Sequence, residues 1–305
     1  MTPDSYTLEE TTIPVSDGHN LYAQSWGNKD AQTTYIFLHG GPGSGCSDGH
    51  KKYFDPETQR VIFFDQRGCG RSTPYGSLEA NTTANLMQDI SVIADYFAVS
   101  DFVFVGGSWG SCLALAYALE NPDRVSAMIL RGIFTGSQSE IDFLDQGQFQ
   151  AFFPDVWEKF ANRTPEEYRD NPAAYHQPRV LGTDQDAIAE SSLAYAELEG
   201  SLVSLDDRFT APNPEDFDPA STRIEVSYMA NRCFMEDNFI FNNAHKLSMP
   251  VWLVQGRYDA ICAPVNAHKL HSLLPNSKLI WTIAGHSGSD RCNFDVTKAL
   301  VEALA

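Results

Sequence analysis

Apolar and polar positions fall into repeating blocks over the first 133 residues and again after residue 245, and the blocks carry two periods. "TTIPVS" and "NLYAQSWG" are extended runs on either side of "DGH", which predicts a hairpin. "TYIFLHG" and "RVIFFDQRG" are short apolar runs closed by glycine, the pattern of buried strands. Between Asn81 and Val99 the period lengthens. Leu86, Ile90, Ile93 and Phe97 recur at spacings of four, three and four, one face of an amphipathic helix. "FVFVGG" then reads as a strand, "SCLALAYALE" as a helix and "SAMILRG" as a further strand.

Over residues 134–245 this alternation stops. Acids, aromatics and proline-bearing turns such as "NPAAYHQPR" and "APNPEDFDP" dominate, with helix-like stretches such as 186–204. The alternation then resumes: "PVWLVQG" and "KLIWTIAG" read as strands, "PVNAHKLHSLL" and "DVTKALVEALA" as helices. Strands alternating with helices predict an α/β protein with a mostly parallel central sheet. The interruption predicts an inserted helical domain over 134–245, with a core formed by 1–133 and 246–305.

Composition narrows the function. The 305 residues are 43% hydrophobic, enough for a sizeable core, and no apolar run reaches the length of a membrane helix. "MTPDSYTLEE" is acidic and polar, unlike a signal peptide, so a cytoplasmic protein is expected. A formal charge of -19 repels phosphate backbones and argues against nucleic-acid binding. Six cysteines (46, 69, 112, 233, 262 and 292) show neither zinc-type nor disulfide-framework spacing, and reduced thiols are expected.

Chemistry enters at Gly106-Gly107-Ser108-Trp109-Gly110, a G-x-S-x-G run between a strand and a helix. In that context it reads as a nucleophile elbow, in which small neighbours permit a sharp turn that lifts the serine hydroxyl above the sheet. Such a serine needs a base and an orienting acid, in the chain order Ser, acid, His. Asp259 and His286 each stand just past a predicted strand and fill those roles, whereas His245, His268 and His271 follow none. An oxyanion formed at Ser108 requires backbone donors, and the Gly41 and Trp109 amides are the candidates. His39 and the "FFDQRGCGRS" stretch, with Asp65, Arg67 and Arg71, are expected to shape the loops beside the elbow.

"HGGPG", "DQRGCGRS", "GGSWGS", "LALAYA", "LRGIF", "GRYD" and "GHS" together resemble the prolyl aminopeptidases (proline iminopeptidases) of the α/β-hydrolase superfamily. The resemblance covers about 35–135 and 250–288 and implies an α/β-hydrolase fold with a cap domain. It also implies a serine exopeptidase that releases N-terminal proline from short peptides with a free amine, without metal or organic cofactor. Two cap acids then bind the substrate amine: Glu199 in "YAELEG", where Tyr195 and Leu198 replace the family's tryptophans, and Glu225 in "RIE". Phe134 matches an aromatic wall of the proline pocket and Cys262 a family cysteine near the acid loop, both counted among the substrate-binding residues; Met229 stands where an aromatic is usual, and Arg131 is placed to organise the acids. The thinned aromatic box leaves a second reading open, a capped esterase or amidase that needs no free amine.

Overall fold

The computed structural model describes residues 6–304. One eight-stranded sheet runs through it in the order β1-β2-β4-β3-β5-β6-β7-β8. The strands are β1 (Thr7–Pro14), β2 (Asn20–Gly27), β3 (Thr34–Leu38), β4 (Arg60–Phe64), β5 (Phe102–Ser108), β6 (Val125–Ile133), β7 (Val251–Gly256) and β8 (Ser277–Thr282). β1 and β2 form the expected antiparallel hairpin, and β2 pairs antiparallel with β4. Every later pairing is parallel.

The central strands are apolar at nearly every position because both faces of the sheet are covered. Period two separates them into two cores. Ile36, Leu38, Ile62, Phe64 and Phe104 point into one, and Tyr35, Phe37, Val61, Phe63, Val103 and Val105 into the other. Helix α1 (Thr83–Tyr96) buries Leu86, Ile90 and Ile93, and the Thr82 side chain caps its first turn by accepting from the Asn85 amide. Phe97, read as part of that helical face, lies just beyond the last turn and is still buried. Helix α2 (Trp109–Glu120) is apolar on all sides because it is enclosed on all sides: only its last residues, Leu119 and Glu120, escape full burial.

Between β6 and β7 the described chain contains no strand. It forms α3 (Gln138–Asp145), α4 (Pro154–Ala161), α5 (Pro172–Val180), α6 (Gln185–Leu202), α7 (Ala220–Ala230) and α8 (Phe239–Asn243). Phe149, Phe160, Val180, Tyr195, Leu198 and Val226 give this segment an apolar cluster of its own, which reaches the sheet-forming part at Ala260. Helices α9 (Pro264–Leu273) and α10 (Arg291–Ala303) complete the chain. All six cysteines are free thiols. No helix among the described residues is long and apolar enough to cross a membrane.

Candidate active site

Ser108, Asp259 and His286 stand at or just beyond the carboxyl ends of β5, β7 and β8, where open parallel sheets present their crevice. Ser108 closes β5 and precedes α2 with φ 57° and ψ −127°, a conformation that a residue with a Cβ holds only under strain. The glycines around it are steric necessities. A Cβ on Gly106 would lie 2.8 Å from the Gly110 carbonyl oxygen, and one on Gly110 would collide with the Leu38 carbonyl. The G-x-S-x-G spacing thus records the packing of β5 and α2 against the end of β3.

His286 is buried, and its Nδ1 lies 2.8 Å from Asp259 Oδ2. That contact leaves Nε2 as the nitrogen available to a reacting group. Asp259 is itself fixed from three sides: its Oδ1 accepts from the Ile261 and Cys262 amides at 3.0 and 2.8 Å, and its Oδ2 from Gln255 Nε2 at 3.0 Å. Gln255 also accepts from the Ile133 amide at 2.8 Å, which ties the acid loop to the end of β6. The sequence signal for Gln255 is a polar residue closing the apolar run "VWLV", a signal the sequence reading passed over.

Ser108, Gly41, Phe134, Cys262, Glu199 and Glu225 line one narrow chamber of about 50 Å³, joined by Asp145, Tyr195 and Met229. Gly41, Ser108, Glu199 and Glu225 also face a wider cavity of about 540 Å³ whose wall includes His286. The Trp109 amide is among the first-turn donors of α2, which have no acceptor within the helix. Its indole Nε1 is satisfied separately by Gln66 Oε1 at 2.9 Å. The Cys262 thiol is held well above its ordinary range, first by burial and then by the charge of Asp259, and a hydrogen bond with the Ser108 hydroxyl acts against this.

Glu199 on α6 and Glu225 on α7 are hydrogen-bonded to each other. Each keeps a little surface toward the cavity while protein surrounds the carboxyl on every other side. Burial pushes Glu199 up to about 7, the charge of Asp145 adds to this, and the bond to Glu225 opposes it. Glu225 is held well above the carboxylate range by burial, then by the charge of Glu199 and the hydrogen bond with it. Two carboxyls this close cannot both ionise without a cation between them, so near neutral pH the pair holds a proton. Asp145, at the end of α3, adds a third carboxyl that the sequence reading missed. Burial brings it up to about 6, against a hydrogen bond from Gln177 at 2.8 Å.

Arg131 does not pair with these acids. Its guanidinium donates to the His286 carbonyl instead. The loop residues knit the surroundings. His39 Nε2 accepts from the Gln66 amide at 3.0 Å, Arg67 grips Asp89 through two bonds of 2.7 and 2.8 Å, and Arg71 pairs with Asp65 at 2.8 Å.

A family model for the α/β hydrolase fold matches residues 35–288. A probable proline iminopeptidase of Leptolyngbya boryana is 36% identical over 95% of this chain and 91% of its own length. A proline iminopeptidase of Arabidopsis thaliana is 38% identical over 91% of this chain and 75% of its own. Among solved structures, a proline iminopeptidase of Mycobacterium smegmatis superimposes with a TM-score of 0.62 at 19% identity, covering 97% of each chain. An esterase of Exiguobacterium antarcticum gives the same score at 18% identity, over 97% of this chain and 99% of its own. At such identities these two structures speak for the fold alone, whereas the two sequence relatives are more than a third identical to this chain over the aligned residues. The chain belongs to the proline iminopeptidase family of the α/β hydrolases.

Proposed function

We propose that this protein is a serine exopeptidase that releases an N-terminal proline from short peptides. Ser108 attacks the first carbonyl carbon while His286 takes the hydroxyl proton, and Asp259 holds the imidazole in the required tautomer and stabilises its cation. The Gly41 and Trp109 amides meet the negative oxygen of the tetrahedral intermediate. Its collapse passes the proton from His286 to the departing amine and leaves a prolyl ester on Ser108, which water then hydrolyses. The helices between β6 and β7, over about 134–245, act as a cap that closes the first-residue pocket. Phe134 and Cys262 contact the ring of that residue.

The observation that carries this reading is the hydrogen-bonded pair Glu199–Glu225 facing the same chamber as Ser108. An esterase has no use for two buried carboxyls beside its nucleophile. An aminopeptidase must tell a chain end from a chain middle, and the end is marked by an ammonium. Arrival of that cation lets the pair release its proton and hold the amine by charge-assisted hydrogen bonds. An acylated nitrogen brings bulk and no charge.

The test compares four substrates: a proline arylamide, its N-blocked form, an alanine arylamide and a short acyl ester. The reading expects the free proline arylamide to be turned over fastest and N-blocking to abolish turnover. Preference for the ester, or indifference to blocking, would favour the esterase or amidase reading. Glu199→Gln and Glu225→Gln sharpen the comparison. Each should lower arylamide kcat/KM by roughly 30-fold or more, the scale for removing one partner of a buried charged pair, and lower ester turnover far less.

A further inference from the structure

Proton transfer fixes the side on which the rest of the peptide leaves. His286 hands its proton to the departing amine, so the leaving chain passes on the His286 side of Ser108. There the wide cavity is bounded by Arg131, Ser287 and Gly288. Across Gly40, His50 and Arg131 it adjoins a second cavity of about 540 Å³, which extends to Lys52 and Tyr53. No Asp or Glu lines that second cavity, although the chain carries 40 acids against 21 lysines and arginines.

The two full positive charges on its wall are Arg131 and Lys52. The Arg131 guanidinium packs against Gly107, the residue before the nucleophile, where a Cβ would run into it. It donates to the His286 carbonyl and forms no ion pair with any described residue. Lys52 is exposed and also lacks an ion pair among the described residues. Burying part of a guanidinium without a carboxylate is costly, and so acidic a chain had carboxylates to spare. An anionic ligand that comes and goes accounts for two cations left without a carboxylate on this wall.

We propose that Arg131 and Lys52 form a subsite for the C-terminal carboxylate of the substrate, which makes the enzyme selective for very short peptides. The proposal rests on the exopeptidase reading above. An extended residue spans about 3.3–3.6 Å, so a free carboxylate one or two residues past the scissile bond comes within reach of a guanidinium packed against Gly107. A longer peptide carries its carboxylate beyond that point, and a C-terminal amide brings no charge. The same molecule is then held at both ends, its ammonium by Glu199 and Glu225 and its carboxylate by the two cations. Burial first, then the charges of His39 and Arg131, push His50 down to about 4, so this wall gains no third cation near neutral pH.

The test measures kcat and KM for prolylglycine, prolylglycinamide and a proline arylamide, with wild type, Lys52→Gln and Arg131→Gln. Wild type should favour prolylglycine over its amide by about tenfold or more in kcat/KM, chiefly through KM, as one charge-assisted hydrogen bond implies. Added salt should erode the preference. Arg131→Gln also releases the His286 carbonyl and so lowers turnover of all three substrates. The quantity read is therefore the ratio of acid to amide, which should fall toward one in both variants. Equal KM for acid and amide in wild type, alongside normal arylamide turnover, overturns the subsite alone. Absence of turnover on every prolyl substrate overturns the exopeptidase reading and the subsite with it. Should Arg131→Gln not fold, the wild-type ratio and Lys52→Gln decide the matter.

Discussion

A Cβ on Gly132 would stand 2.9 Å from Cε1 of His286 and 3.0 Å from its Nδ1. Gly132 also has φ +54°, a left-handed conformation that glycine alone adopts without cost. The end of β6 therefore sets the position of a ring that arrives from beyond β8. Gly132→Ala must displace the imidazole or the strand end. Turnover of every substrate should fall by at least about 100-fold, consistent with the loss that small misplacements of a reacting group cause. Steady-state kinetics together with a melting curve check this: a variant that is folded and near-normal in rate would show that the ring position is not critical.

Asp259 and Gln255 should separate chemistry from support. Asp259→Asn keeps the shape but presents an amide to Nδ1, which favours the wrong tautomer. The drop in kcat should be about four orders of magnitude, with little change in stability. Gln255→Leu leaves Asp259 with its two amide donors but orphans the Ile133 amide, and the cost falls mainly on stability, about 1–3 kcal/mol. Denaturant titration and kcat on one pair of samples tell the two patterns apart. If Gln255→Leu matched Asp259→Asn in rate, the glutamine would be part of the reacting set.

The parts of this molecule that could be read from the sequence are those in which one local rule governs a run of residues. "FVFVGGSWGS" states its strand, its turn and its helix because the turn itself demands glycine at Gly106 and Gly110. The apolar runs of β3 to β7 were legible because both faces of the sheet are buried there. The helices between β6 and β7 were harder, since α3, α4 and α5 are only eight or nine residues long and α5 carries Pro178 in its interior. Gln255 and Asp145 escaped for a different reason. Gln255 joins Asp259 to Ile133, 122 positions away, and nothing near Asp145 in the chain marks it as facing Glu199. The misplacement of Arg131 is of the same kind: its adjacency to "GIF" was plain, but its partner is the carbonyl of a residue 155 positions away.

Holding two carboxyls together should cost stability above neutral pH. In the folded protein Glu199 is raised to about 7 and Glu225 is likewise raised by burial, while in the unfolded chain both return to about 4.3. The native state therefore binds more protons than the unfolded one between those values, and stability falls as pH rises through this window. Glu225→Gln removes one of the two charges. Its melting temperature relative to wild type should increase from pH 5 to pH 8, by roughly 2 °C or more, about 1 kcal/mol for a chain of this size. Calorimetry at the two pH values is the measurement, and a constant offset would mean that the pair does not titrate in this range. Greater stability with less activity is the expected trade at a binding site.

Asp145 should tune the pH at which the amine is read. Its charge raises Glu199, so Asp145→Asn lets Glu199 ionise at lower pH. On the proposed exopeptidase reading, recognition of the substrate ammonium needs the Glu199–Glu225 pair to carry negative charge, and kcat/KM for a proline arylamide should therefore fall as pH drops below about 7 in wild type. In Asp145→Asn that acid limb should move to lower pH. A neutral ester acting through the same Ser108 and His286 does not draw on the glutamate pair. Its acid limb should therefore stay where it is in the variant. The comparison is thus between two substrates on one enzyme, which cancels any general effect of the substitution on folding or on Ser108. If both limbs shift together, Asp145 does not act through the glutamate pair. If neither shifts, the third carboxyl does not bear on the charge of Glu199.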